Sequence, residues 1–120
     1  MRKEINRVVL VGYAASIPEI RVAQDGKRIA TLTIATHRKD ATDWHRLIAF
    51  DEGIIDVMER EAEKGSYVYA EGRLQTRKWQ DKNHQGRYTT EIVLEIFLVI
   101  KQEKHTFPKE SLLREFLEGN

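Results

Sequence analysis

A chain of 120 residues, 41% hydrophobic and 32% charged, has the balance of one soluble globular domain rather than of a disordered or fibrous chain. It has no cysteine, which excludes a disulfide-stapled scaffold, thiolate metal sites and a cysteine nucleophile, and no apolar run approaches the roughly 18 residues of a membrane helix. The 20 Lys and Arg against 19 Asp and Glu leave a net charge of +1, so total charge alone does not point to nucleic acid, and the expected compartment is the cytoplasm.

Residues 1–7 carry the charges of a signal peptide, but the apolar run behind them is too short and reads as a strand. Residues 5–11 form that β-rich run, closed by Gly12. After Pro18, residues 20–23 alternate before the turn signal Asp25-Gly26. Residues 29–36 and 44–50 give two further strands. Residues 53–64 are the one helix of the body, with Ile54, Ile55, Val57, Met58 and Ala62 at helical spacing and Gly65 as the stop. Residues 67–79 and 88–100 are the last strands, around a polar loop. Five strands with one helix between the third and fourth is the order of an oligonucleotide-binding (OB) barrel, although several small α+β folds share it. The expected class is therefore all-β with one helix in the body.

The small net charge hides a polarised molecule. Residues 51–63 carry Asp51, Glu52, Asp56, Glu59, Glu61 and Glu63 against Arg60 alone. Residues 73–88 carry Arg73, Arg77, Lys78, Lys82 and Arg87 against Asp81 alone. Strand alternation puts Trp44, Arg46, Ile48 and Phe50 on one face and His45, Leu47 and Ala49 on the other. In the fourth strand Val68, Ala70, Gly72 and Leu74 read as core. Tyr67, Tyr69, Glu71, Arg73, Gln75, Arg77 and Trp79 share the opposite face. Rings alternating with cations on a wet face suit a single-stranded nucleic acid, whose bases stack and whose phosphates pair. Plainer roles compete: Trp44 as a cap on the barrel end, Phe50 as packing under the helix, Tyr69 as an oligomer contact. Trp79, with only polar sequence neighbours, has no local core to join.

Other chemistries lack residues. His37, His45, His84 and His105 have no metal-ligand spacing, the glycines are isolated, and Asp51 and Glu52 suit the positive end of the helix. No nucleophile–base pair exists, so neither an enzyme nor a cofactor is expected.

Residues 6–12 (Asn-Arg-Val-Val-Leu-Val-Gly), 18–21 (Pro-Glu-Ile-Arg), 43–46 (Asp-Trp-His-Arg) and 64–74 (Lys-Gly-Ser-Tyr-Val-Tyr-Ala-Glu-Gly-Arg-Leu) resemble the bacterial single-stranded DNA-binding protein family. Residues 76–81 (Thr-Arg-Lys-Trp-Gln-Asp) and 86–91 (Gly-Arg-Tyr-Thr-Thr-Glu) are its most specific stretch, and the likeness runs colinearly over residues 5–97. The resemblance implies an OB barrel that assembles as a homotetramer, or as a dimer, through first-strand pairing and a sheet-to-sheet contact. It implies sequence-tolerant single-stranded DNA binding in replication, recombination and repair, in a bacterial, nucleoid-associated setting. By position, Trp44, Phe50 and Trp79 match the base-stacking rings, and His45 and Tyr69 match interface positions, with Asn6 and Val8 on the pairing strand. Arg38, Arg46, Arg73, Arg77, Lys78 and Arg87 are the candidate phosphate contacts, chiefly from charge and position.

Two departures stand out. The family's longer loop before the third strand, with its extra tryptophan, is here the short run of residues 36–42, where Arg38 or Lys39 supplies charge instead. The acidic C-terminal tip that recruits replication and repair proteins is not found: over residues 101–120, Lys101, Lys104, Lys109 and Arg114 balance Glu103, Glu110, Glu115 and Glu118. The expected division is an OB domain at 1–104 and a helical extension at 105–120, whose Leu112, Leu113, Phe116 and Leu117 form one stripe between Pro108 and Gly119. These departures keep a second function open: an adaptor resembling primosomal replication protein N, working through protein contacts.

Overall fold

The computed structural model describes residues 2–100, so the expected helical extension and the four residues before it lie outside the described range. The elements are β1 (Val8–Ala14), β2 (Glu19–Val22), β3 (Arg28–Arg38), β4 (Ala41–Ala49), α1 (Glu52–Glu61), β5 (Tyr67–Gln80) and β6 (Gly86–Ile100). The sheet order is β1-β5-β6-β4-β3-β2, and β1 also pairs with β3. That last pairing closes β1, β5, β6, β4 and β3 into a five-stranded OB barrel, with β2 as a short hairpin partner of β3 outside the ring. β4 and β6 run parallel, and the other pairs are antiparallel.

Closure explains why the first strand sits later than its composition suggests. Gly12 does not end β1 but lies within it, where β1 crosses β3 so closely that a Cβ would collide with the Ala35 carbonyl. Tyr13 and Ala14 then pair with Ala35 and Ile34. Leu32, Ile34, Leu47, Ala49, Val68, Ala70, Ile92, Leu94 and Phe97 fill the interior, and Ile55 and Met58 of α1 join the same cluster. The helix begins at Asp51, whose side chain accepts from the Ile54 amide at 3.0 Å. It ends earlier than Gly65: Ala62 has turned extended while its N–H still reaches the Met58 carbonyl. Gly65, at φ 88°, instead makes the turn that docks its own N–H on the Ala14 carbonyl, at 2.8 Å.

A bulge divides β5 and β6. Glu71 pairs with Ile96 but Gly72 pairs with Leu94, so Glu95 is the extra residue. At Gly72 a Cβ would strike the Val93 carbonyl. Past this point Leu74, expected in the core, is 48% exposed. Its strand neighbour has run out, because β1 starts at Val8, opposite Gly72. Beyond it β5 and β6 continue as a two-stranded arm, Gln75 to Gln80 pairing with Glu91 to Gly86. Asp81 ties the tip, accepting from the Asn83 and Gln85 amides at 2.8 and 3.0 Å and from Arg87 Nε at 2.9 Å. Those bonds, led by Gln85, hold its carboxyl below the ordinary range.

Candidate nucleic-acid interface

The outward face of β4, β6 and the arm carries most of the expected site residues. Trp44, Phe50 and Trp79 are 59%, 49% and 42% exposed, so their rings lie on the surface rather than in the core. Trp79 is held in place by its indole N–H, which donates to Thr89 Oγ1 at 2.8 Å. Phe50 follows the end of β4 and walls a shallow cavity of about 300 Å³, with Ile29 and Ile48 on its apolar side and Gln75, Arg77 and Glu91 on its polar side. Ile48 shares the ring face by alternation yet is 4% exposed, forming part of the floor.

The cations divide by what holds them. Arg46 and Arg77 both bind Glu91, at 3.1 and 2.8 Å. Arg38 pairs with Asp43 at 2.9 Å beside the tight β3–β4 hairpin, which is the short connection of residues 36–42. Arg73 donates to Gln75 at 3.2 Å, and Arg87 is held by Asp81 at the arm tip. Lys78 is apart from the rest. It pairs across the arm with Tyr88, on the side opposite Arg77 and Trp79, so the arm carries a ring and a cation on both faces.

The four interface candidates lie elsewhere. Asn6 exchanges two hydrogen bonds with the Leu74 backbone, at 2.9 and 2.8 Å, and so extends the β1–β5 ladder by one side-chain rung. Val8 packs inward on the core cluster. His45 is half-buried on the face opposite Trp44 and bonds Thr36 Oγ1 at 2.8 Å. Tyr69 donates its hydroxyl to Glu71 Oε1 at 2.7 Å, and Glu71 also pairs with Arg7 at 3.0 Å. The Tyr69 bond, then Arg7, holds the Glu71 carboxyl below its ordinary range, while that bond and desolvation raise the Tyr69 phenol.

Two features are not foreseen by the sequence. One is Glu91 itself, fully buried on a face that should be wet, and nothing in a lone glutamate names its partners. The other is an apolar surface around Tyr69, where the register aligns Val9, Glu71 and Ile96, then Val11, Tyr69 and Leu98, then Tyr13, Tyr67 and Ile100. Val9, Val11, Ile96 and Leu98 are all exposed there. Outward alternation in β1 and β6 is the signal that could have found it. The acidic run of residues 51–63 is a separate matter: Glu52, Asp56 and Glu59 of α1 converge on Arg28, whose guanidinium they hold firmly charged.

Comparison with known proteins places this geometry. Residues 5–100 match the Single-strand binding protein family. The chain belongs to that family. A single-stranded DNA-binding protein of Rickettsia felis is 45% identical over 107 residues, covering 81% of this chain and 70% of that protein. A namesake from Rhizobium meliloti is 44% identical over 107 residues, covering 81% of this chain and 62% of its own length. Among solved structures, a Plasmodium falciparum SSB in complex with ssDNA superposes with a TM-score of 0.77 at 31% identity, over 84% of this chain and 99% of that one. Family membership makes the chain a non-enzymatic protein. No helix among the described residues is long and apolar enough to cross a membrane.

Proposed function

We propose that this protein binds single-stranded DNA with little sequence preference and serves DNA replication, recombination and repair. The observation that carries the reading is the outer face itself, where Trp44, Phe50 and Trp79 are exposed among arginines on the barrel and its arm. Bases of any identity stack on rings, and the guanidiniums of Arg38, Arg46, Arg73, Arg77 and Arg87 take the phosphates, with Lys78 reaching a strand that passes round the arm. Each stacked base contributes about 1–3 kcal/mol in SSB-type OB folds, a range that belongs to that class of protein as a whole. The apolar surface around Tyr69, with the free edge of β1, is the proposed contact for a homotetramer or a dimer. Replication and repair proteins are the proposed further partners, in the nucleoid of a bacterial cell.

The test is a titration with oligo(dT) at low and high salt, following tryptophan fluorescence. Strong quenching that survives high salt is the expected result. With about five phosphates met, affinity should fall on the order of 100-fold between about 50 and 200 mM salt. Binding that leaves the fluorescence unchanged and disappears with salt would remove the stacking role and favour the adaptor.

A further inference from the structure

We propose that Glu91 is a positioning residue that holds Arg46 and Arg77 together as one phosphate clamp, a role that rests on the single-strand reading above. Its side chain is 0% exposed, although the β4–β6 and β5–β6 registers place it on the outer face. β6 lies between β4 and β5, so one carboxylate on it reaches a neighbour on either side. Oε2 accepts from Arg46 Nε at 3.1 Å and Oε1 accepts from Arg77 Nε at 2.8 Å.

The grip on Nε is what matters. Arg28 commits Nε, NH1 and NH2 to Glu52, Glu59 and Asp56, and is fully engaged in structure. Arg46 and Arg77 commit Nε alone. Among the described residues neither guanidinium has another hydrogen-bond partner, and the side chains remain 41% and 42% exposed. The terminal nitrogens of both guanidiniums are thus left for a ligand, and guanidinium forks suit phosphate oxygens. A buried carboxylate is costly without its cations, so Glu91 keeps both arginines in place before DNA arrives, and their ordering is met at folding rather than at binding. Arg77 and Glu91 also wall the cavity that Phe50 closes. A base stacked on Phe50 would therefore lie next to the clamp.

This assigns a sign opposite to that of simple charge. Removing a negative charge from a DNA-facing surface should tighten binding. If Glu91 positions the pair, Glu91→Gln weakens it, because the amide accepts from one Nε and turns a donor toward the other. The experiment is oligo(dT) affinity of the full chain at fixed salt, with circular dichroism on every variant. Expected for Glu91→Gln is a loss of about tenfold, the scale of one misaligned charge-assisted contact. Glu61→Gln, which removes an equal charge from the exposed Arg60 pair on α1, away from the ring-bearing face, should bring no loss. In an Arg46→Ala/Arg77→Ala background Glu91→Gln should have no further effect, an outcome that a general structural role would not produce. Should Glu91→Gln not fold, Glu91→Asp carries the test: it keeps the charge, draws the carboxylate back from both Nε atoms, and should show a similar loss. Binding by Glu91→Gln as tight as wild type, or a loss undiminished in the double-alanine background, overturns the clamp. Wild-type protein that does not bind oligo(dT) overturns the single-strand reading itself.

Discussion

One strand serves two surfaces, and the bulge at Gly72 is the border between them. Before it, β5 sends Tyr67, Tyr69 and Glu71 outward between the aliphatic side chains of β1 and β6. After it, the same alternation sends out Arg73, Gln75, Arg77 and Trp79. The first stretch is apolar and braced by a neighbour on each side. The second has lost β1, stands out as an arm, and carries cations, among them Arg77 with its terminal nitrogens free. A broad, three-stranded apolar face suits a rigid protein partner of the same kind. A narrow arm with rings and guanidiniums suits a flexible polyanion. A bulge and a missing neighbour are enough to change what one strand presents to its surroundings.

If the surfaces are separable, each can be damaged alone. The largest effect is expected from Leu98→Arg. Leu98 is exposed opposite Tyr69, so the protomer tolerates the arginine, whereas an assembled interface would bury an unpaired charge. Analytical ultracentrifugation should show the assembly midpoint raised roughly 100-fold or more, while a short oligonucleotide still quenches tryptophan fluorescence. Unchanged assembly would mean that this face is not the contact.

Trp79→Ala is the reciprocal cut. The ring lies outside the core cluster and its loss leaves only the half-buried Thr89 hydroxyl unpaired, so the melting temperature should hardly move. Affinity for oligo(dT) should fall on the order of tenfold, the worth of one stacked base. Assembly should not change. A variant that lost both properties together would make the two surfaces one cooperative unit.

The arm is more legible in the sequence than the apolar face, for a physical reason. A tryptophan among Thr, Arg, Lys, Gln and Asp has nowhere to hide, and alternation fixes which cations share its side. Leu98, Ile96 and Val11 look like ordinary core residues, and only the register shows that they point away from the barrel. Leu74 departs in the opposite sense. Its alternation is that of the core, but the core ends where β1 begins, and strand length cannot be read from one strand alone. Gly12 reads as a strand end because close backbone approach and a turn both call for glycine. Glu91 is illegible for a third reason, since the energy that keeps it buried comes from two arginines distant in sequence.

The smallest expected effect concerns pH, and it touches each surface through one carboxylate. Glu71, on the apolar face, is depressed by the Tyr69 hydroxyl and then by Arg7; Asp81, at the arm tip, is depressed by the Gln85 amide and then by Arg87. A folded-state value below the unfolded one means that the contribution is fully present above the unfolded range and drains away as pH falls through the folded value. Thermal stability should therefore decline as pH drops from about 5 toward 3, the range in which free carboxyls take up protons and below. Tyr69 has the opposite sign: its raised phenol keeps donating to Glu71 through neutral pH, and that contribution is lost only as alkali passes its folded value. Glu71→Gln leaves an acceptor for Tyr69 but no charge for Arg7, so it should flatten part of the acid limb, and assembly should become less pH-dependent. Asp81→Asn should flatten the other part while loosening the arm, and its pH effect should be read in DNA affinity. An acid limb left intact in both variants would place its origin in other carboxylates and separate these two from the acid response of either surface.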